Sequence, residues 1–238
     1  MIFDMSEDEP ITFKCPFCGA ELEYLKEDAG TAQACPFCSE EVVVPKEGGL
    51  EGRELPLPVT TPRLSLRRLD WQDFTDSFEI FSDPETFRND PQPAWEEKQV
   101  KEWLTETVHS KFSERRGLMA LGIQTASEPK LIGVLALNFN TSDRQQALVD
   151  IRINSQYLRQ GFATEAMVAA MFFCFNDLGL HRITATCHSG NAAAHRLLTK
   201  IRMRQEGESV QDCQIDGAWT NTSSFAQLRD EFMKRQTA

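Results

Sequence analysis

Two sets of residues in this 238-residue chain have the types and spacing to do chemistry. The first is Cys15-Pro16-Phe17-Cys18, answered by Cys35-Pro36-Phe37-Cys38 after sixteen intervening residues. Two residues between cysteines let a tight turn aim both sulfurs at one ion. Two such turns complete the tetrahedral four-sulfur shell that Zn2+ prefers, with Zn–S distances of about 2.3 Å. Four thiolates leave no open coordination position, so the zinc expected on Cys15, Cys18, Cys35 and Cys38 is structural and not catalytic. The alternative is a redox dithiol, but that chemistry belongs to a βαβ setting the neighbouring residues do not supply, and it leaves the duplication unexplained. The second set is Leu158-Arg159-Gln160-Gly161-Phe162-Ala163-Thr164. Gly161 lets the backbone approach a ligand closely, and the free N–H groups of a helix beginning there, aided by the helix dipole, bind an anion such as a pyrophosphate. Gly-x-Ala also precedes many helices for packing reasons alone, so the surroundings must decide.

Those surroundings read as an α+β domain. Arg63 to Leu69 alternates polar and apolar residues as a strand does, and Asp70 caps a helix predicted to run to about Ser82 with Trp71, Phe74, Phe78 and Phe81 on its apolar side. A second helix is expected from about Trp95 to Arg116. Strands follow at Leu118–Gln124, Leu131–Asn138 and Ala147–Asn154, then a long helix from Phe162 to Leu178, a strand at Arg182–Cys187 and a helix at Ala192–Lys200. A final hairpin pairs Met203–Val210 with Trp219–Gln227 around Asp216-Gly217. Ahead of this domain, Glu21 to Leu25 and Glu41 to Val44 read as short strands in a module too small to fold without its metal. The organisation is a zinc ribbon at 1–47, a Gly/Pro-punctuated linker at 48–60 and the larger domain at 61–238.

The order of three motifs resembles the GNAT family of N-acetyltransferases. Gly161-Phe162-Ala163-Thr164-Glu165-Ala166 is similar to the family's acetyl-CoA pyrophosphate loop, and His181 to Cys187 leading into Asn191-Ala192-Ala193-Ala194-His195-Arg196-Leu197-Leu198 is similar to its fifth strand and following helix. Thr61-Pro62-Arg63-Leu64-Ser65-Leu66-Arg67 resembles the first strand of the RimJ/RimL-like branch. The resemblance covers about residues 60–232. It implies the GNAT fold, a mostly antiparallel mixed sheet flanked by helices, in which two parallel strands (here Ala147–Asn154 and Arg182–Cys187) splay apart around the thioester. It implies that the backbone of Ile151 to Ile153 meets the acetyl and pantetheine portions of acetyl-CoA, that Leu158 to Thr164 cradle the pyrophosphate, and that Asn191 bonds the pantetheine arm. It also implies direct attack by a primary amine, with a protein N-terminus as the acceptor that the RimJ/RimL-like branch favours. The chain departs from the pattern at Leu158 and Arg159, where a Gln or Arg and a Gly are usual. It departs again at Arg202, another Gly position, and at Ala194 and Leu198, where relatives carry a Ser or the Tyr that protonates the thiolate.

With that Tyr absent, Asp150 is the candidate base, acting through a water, and Ser189 the candidate acid. The alternatives are a solvated Asp150 paired with Arg152, and a Ser189 that only forms a turn. Cys187 invites an acyl-cysteine, yet a buried cysteine is usually a small apolar residue; His188 and His195 read as solvated or helix-surface residues.

Charge narrows the partners. Residues 1–58 carry 13 acidic against 4 basic side chains, and the remainder 23 against 21, so the net charge of −11 resides mainly in the ribbon. Neither half has the basic surface that nucleic acid needs. The start of the chain has no basic, apolar leader and no segment spans a bilayer, so a cytoplasmic protein without a membrane partner is expected. Acetyl-CoA and an amine are the expected partners, with a protein partner conceivable for the ribbon. A non-catalytic acetyl-CoA-binding module that recruits a partner is the competing reading.

Overall fold

The computed structural model describes residues 10–14, 20–28, 31–39, 41–44, 55–109, 117–139 and 145–234. It divides into two units, Met1–Leu55 and Pro56–Ala238.

In the first unit, β1 (Ile11–Lys14) pairs antiparallel with β2 (Glu21–Tyr24), and β3 (Ala32–Ala34) with β4 (Glu41–Val43). Each strand has only three or four residues, and the core is correspondingly small. Leu22, Cys35 and Val44 are buried, with Ile11, Tyr24 and Cys38 packed against them. Strands β1 and β3 have no counterpart in the sequence expectation, because runs this short offer too few positions for an alternation to register.

The second unit is an eight-stranded sheet in the order β11-β12-β10-β9-β8-β7-β6-β5. Its strands are β5 (Val59–Thr60), β6 (Leu64–Arg68), β7 (Leu118–Thr125), β8 (Leu131–Phe139), β9 (Gln146–Ile153), β10 (Arg182–His188), β11 (Arg204–Ile215) and β12 (Ala218–Leu228). All neighbours run antiparallel except β9 and β10. Val59 and Thr60, read as linker from the sequence, instead form the edge strand against Leu66 and Ser65. Asp216 and Gly217, at φ +50° and +77°, close the last hairpin as expected, since two left-handed residues match the twist of the flanking strands.

Helices α1 (Phe74–Phe81) and α2 (Glu97–His109) cover one face, where Ile80, Phe81, Val100 and Leu104 meet Ala120, Leu131 and Val134. The entry to α1 is a single 3-10 turn, Trp71–Asp73, locked by a capping box in which Asp70 accepts from the Gln72 N–H and Asp73 from the Asp70 N–H. Residues 110–116, expected in α2, lie outside the described residues. The opposite face, with Leu121, Leu135, Val149 and Ile183 buried, carries α3 (Phe162–Phe172) and α4 (Ala192–Lys200), and α5 (Arg229–Lys234) ends the described chain. The long helix differs from expectation. It stays α-helical only to Phe172 and then widens into a π-turn, Phe173–Asp177, closed by the Leu178 N–H to the Phe173 carbonyl. Fewer degrees of rotation per residue allow three consecutive side chains, Phe173, Cys174 and Phe175, all to be buried. No helix among the described residues is long and apolar enough to cross a membrane.

Candidate active site

The parallel pair does not stay paired. Register runs from Arg182 opposite Gln146 to Thr184 opposite Leu148, and there it stops, although β9 continues to Ile153 and β10 to His188. A wedge-shaped gap opens beyond that point. Backbone groups alternate between the two edges of a strand. The Ala147 carbonyl accepts from the Thr184 hydroxyl on the β10 side, and the Asn154 N–H donates to Ile132 on the β8 side. By the same alternation the peptide groups of Val149, Ile151 and Ile153 face the gap.

The loop from β9 to α3 sits at the gap's mouth. Asn154, buried, caps the turn Ser155–Tyr157 by accepting from the Gln156 N–H, and its side-chain amide donates to Glu79 on α1 at 2.8 Å. Lys130 and Asn154 bonding to Glu79 hold its carboxyl below the usual range. Leu158 is extended and 44% exposed, so it contributes backbone and not core. Arg159, which replaces the usual glycine, nonetheless takes a left-handed φ of +62°, and Gly161 takes +83° as the N-cap of α3. The Glu165 N–H is the one that reaches back to the Gly161 carbonyl, at 3.1 Å. The N–H groups of Phe162, Ala163 and Thr164 therefore have no acceptor within the helix and are available to an anion.

Asp150 lies on the sheet face away from α3, its side chain 57% exposed. Arg152 stands 3.8 Å from it but pairs more closely with Asp90, at 2.5 Å, and lies 4.6 Å over the Phe87 ring. The Asp150–Arg152 pairing, the alternative to a catalytic Asp150, is thus the weaker of the two, and Arg152 mainly ties the α1–α2 connection to β9. Ser189 follows β10, where its hydroxyl donates to Glu208 at 2.8 Å and its N–H to the Asn221 carbonyl. Bonds from Asn221 and Ser189 hold the Glu208 carboxyl below its ordinary value. No hydrogen bond joins Asp150 to Ser189; the diverging strands carry them on opposite sides of the gap. Asn191 caps α4, accepting from the Ala194 N–H at 3.0 Å, which leaves its side-chain amide to donate elsewhere.

Cys187 is buried, and burial pushes its thiol up, which disfavours the thiolate that an acyl-cysteine requires. Neither histidine is simply solvated. His188 is half-buried with its Nδ1 3.0 Å from the Cys213 sulfur, and the His195 ring packs edge-on against Phe225.

Sequence reasoning missed the contacts that hold the loop, because they come from remote segments. Arg63 bonds the Gln160 carbonyl and the Glu165 carboxylate, and Thr61 bonds Glu165. The available signal was Pro62, which favours a turn at this point of the chain. As for the metal, Cys35 and Cys38 lie in the connection between β3 and β4, whereas Cys15 and Cys18 fall outside the described residues. Among the described residues no three His, Cys, Asp or Glu side chains converge as metal ligands.

Residues 63–204 match the model of the acetyltransferase (GNAT) domain. The chain belongs to the GNAT acetyltransferase family. It is 30% identical over 166 residues to YoaA of Bacillus subtilis (strain 168), an N-acetyltransferase not yet characterised, covering 70% of this chain and 93% of that relative. A GNAT-family acetyltransferase from Bacillus anthracis has the same fold (TM-score 0.65, 23% identity, 72% of this chain and 98% of that one). So does a spermidine N-acetyltransferase from Vibrio cholerae solved with CoA and spermine (TM-score 0.64, 20% identity, 73% and 99%). This GNAT protein is therefore an N-acetyltransferase with acetyl-CoA as its acyl donor. Family membership favours the enzyme over a non-catalytic binding module.

Proposed function

We propose that this GNAT enzyme is of the RimJ/RimL-like branch and transfers acetyl from acetyl-CoA to a primary amine, with a protein N-terminus the favoured acceptor, in the cytoplasm. What supports the donor geometry is the gap between β9 and β10 with a helix N-terminus at its mouth. The pyrophosphate lies against the N–H groups of Gly161 to Thr164, flanked by the backbone of Leu158 to Gln160. The pantetheine arm runs along the edge of β9 at Ile151 and Ile153, with the Asn191 amide as a further donor. In that pose the thioester carbonyl is polarised by a β9 N–H, and the amine arrives from the side of the gap where the Asp150 side chain is exposed. Asp150, exposed and only distantly paired, takes the proton of the ammonium through a water, and the free amine attacks the thioester directly. Ser189 is the candidate to protonate the thiolate, which requires its hydroxyl to leave Glu208.

The remaining part of the reading is the ribbon. The spacing of the two Cys-x2-Cys pairs, with Cys35 buried in the small core and Cys38 packed beside it, supports one structural zinc on Cys15, Cys18, Cys35 and Cys38. Through that ribbon the enzyme would engage a protein partner. Metal analysis should return one zinc per chain, and Cys35→Ser should lose it.

Thiol release from acetyl-CoA against N-terminal peptides, polyamines and small amines tests the reaction. Turnover by the wild type, abolished in Gly161→Trp and lowered by about 10²-fold in Asp150→Ala, is the expected result. An Asp150→Ala enzyme as active as the wild type would remove Asp150 from the mechanism.

A further inference from the structure

The anion loop is held by a turn about a hundred residues upstream of it. β5 and β6 join through Pro62 and Arg63, closed by the Thr61 N–H donating to the Leu64 carbonyl at 2.8 Å. From this tip the Arg63 guanidinium reaches three successive parts of the loop. Its Nη1 donates to the Gln160 carbonyl at 3.0 Å, before the helix starts. The guanidinium plane lies 4.7 Å over the ring of Phe162, the first helical residue. Its Nε and Nη2 meet Glu165 Oε2 at 2.7 and 2.6 Å, one turn further on. The other Glu165 oxygen takes the Thr61 hydroxyl at 2.6 Å and the Arg63 N–H at 3.2 Å. Gly161 lies within this grip, since a Cβ there would stand 3.4 Å from Arg63 Nη2.

These contacts act on the anion site in two ways. A peptide carbonyl bound on one side cannot rotate, so fixing Gln160 fixes the orientation of the Gly161 N–H in the same peptide plane. Glu165 is in the first turn of α3, where an unpaired carboxylate would repel a second anion beside it; Arg63 neutralises it and turns it aside. Burial on its own would raise the Glu165 carboxyl, and the bonds from Thr61 and Arg63 outweigh it, leaving the group below its usual range and charged.

We infer that Arg63, paired with Glu165, is a positioning residue for the pyrophosphate of the acyl donor, holding the Gly161–Thr164 N–H groups toward the anion without itself touching the thioester. This rests on the acetyl-CoA geometry proposed above. The side chain is half exposed, yet its guanidinium is already committed to Gln160 and Glu165, so it acts through the loop.

The test compares acetyl-CoA with S-acetyl-pantetheine, which has the thioester but no pyrophosphate, on wild type, Arg63→Ala and Arg63→Lys. Charge-assisted hydrogen bonds of this kind correspond to about tenfold or more in affinity. Arg63→Ala should therefore weaken acetyl-CoA binding by calorimetry, and raise its KM, by about tenfold while kcat at saturation holds. Its kcat/KM with S-acetyl-pantetheine should stay at the wild-type value, which also reports that the fold is intact. Arg63→Lys should be as weak as Arg63→Ala, because one ammonium cannot bridge a carbonyl and a carboxylate in the way a planar fork does. Acetyl-CoA affinity unchanged in Arg63→Ala, an equal loss on both donors, or full recovery with lysine would each overturn the inference. A wild type that binds no acetyl-CoA would instead overturn the donor geometry itself, and this inference with it.

Discussion

Two neighbouring residues of the anion loop should respond to exchange with opposite sign. Arg159 and Gly161 both occupy the left-handed region, at φ +62° and +83°, but only one of them is a glycine. A side chain in that region costs about 1–2 kcal/mol, and a glycine gives back about 0.5–1 kcal/mol through the extra freedom of its unfolded chain. Arg159→Gly should therefore stabilise the domain by about 0.5–1 kcal/mol, since among the described residues its guanidinium has no ion pair to lose. Gly161→Ala should destabilise it by a similar amount. The new methyl would stand 3.4 Å from Arg63 Nη2, the end of a flexible side chain, so crowding adds little. For a domain of this size the shifts correspond to about +2 to +4 °C and −2 to −4 °C per kcal/mol in Tm. Thermal unfolding of both variants beside the wild type, without acetyl-CoA, is the assay. Shifts of the same sign, or a destabilised Arg159→Gly, would refute the assignment of left-handed strain to Arg159.

Gly133→Ala should cost about 1–3 kcal/mol by urea unfolding, because its Cβ would lie 2.5 Å from the Arg152 backbone carbonyl and would force β8 away from β9 beside the gap. Hydrogen bonds from Arg182 and Arg204 hold the Glu206 carboxyl down at about 2, against about 4.3 in an unfolded chain. A depressed carboxylate contributes stability that is full above its unfolded value and lost as pH falls through its folded one. Stability should thus drop between about pH 4.5 and 2, and Glu206→Gln should flatten that limb in unfolding curves at pH 3 and 6. Cys187→Ala should retain wild-type turnover, and burst kinetics abolished by that change would restore an acyl-cysteine route.

Much of the domain was legible because burial writes a period into the chain. Strands β7 and β8 and helix α4 fall within a residue or two of their expected bounds, each with an alternation or a capping Asn191 long enough to read. The elements that escaped are those without a period. Val59–Thr60 has two residues, β1 and β3 have three or four, and the π-turn differs from a helix only in how far each residue rotates. The loop itself was recognisable from Gly161 and Ala163, and Arg159 and Arg202 from standing where glycines are usual. Their left-handed backbone shows that the chain kept the conformation while giving up the residue that adopts it most cheaply.

Residue types, order and local spacing were enough to place a zinc-binding pattern, an anion-binding helix start and an acetyltransferase-like sequence of elements, since each depends on neighbours within one turn or one strand. Tertiary structure alone decided which charges meet. It set Arg152 on Asp90 more closely than on Asp150, committed the Ser189 hydroxyl to Glu208, and brought Arg63 across to Glu165. Such pairings join residues as far as about a hundred positions apart, and a charged side chain carries no local mark of its partner. Only the closing of the sheet brings the two within the few ångströms at which their attraction selects one arrangement over another.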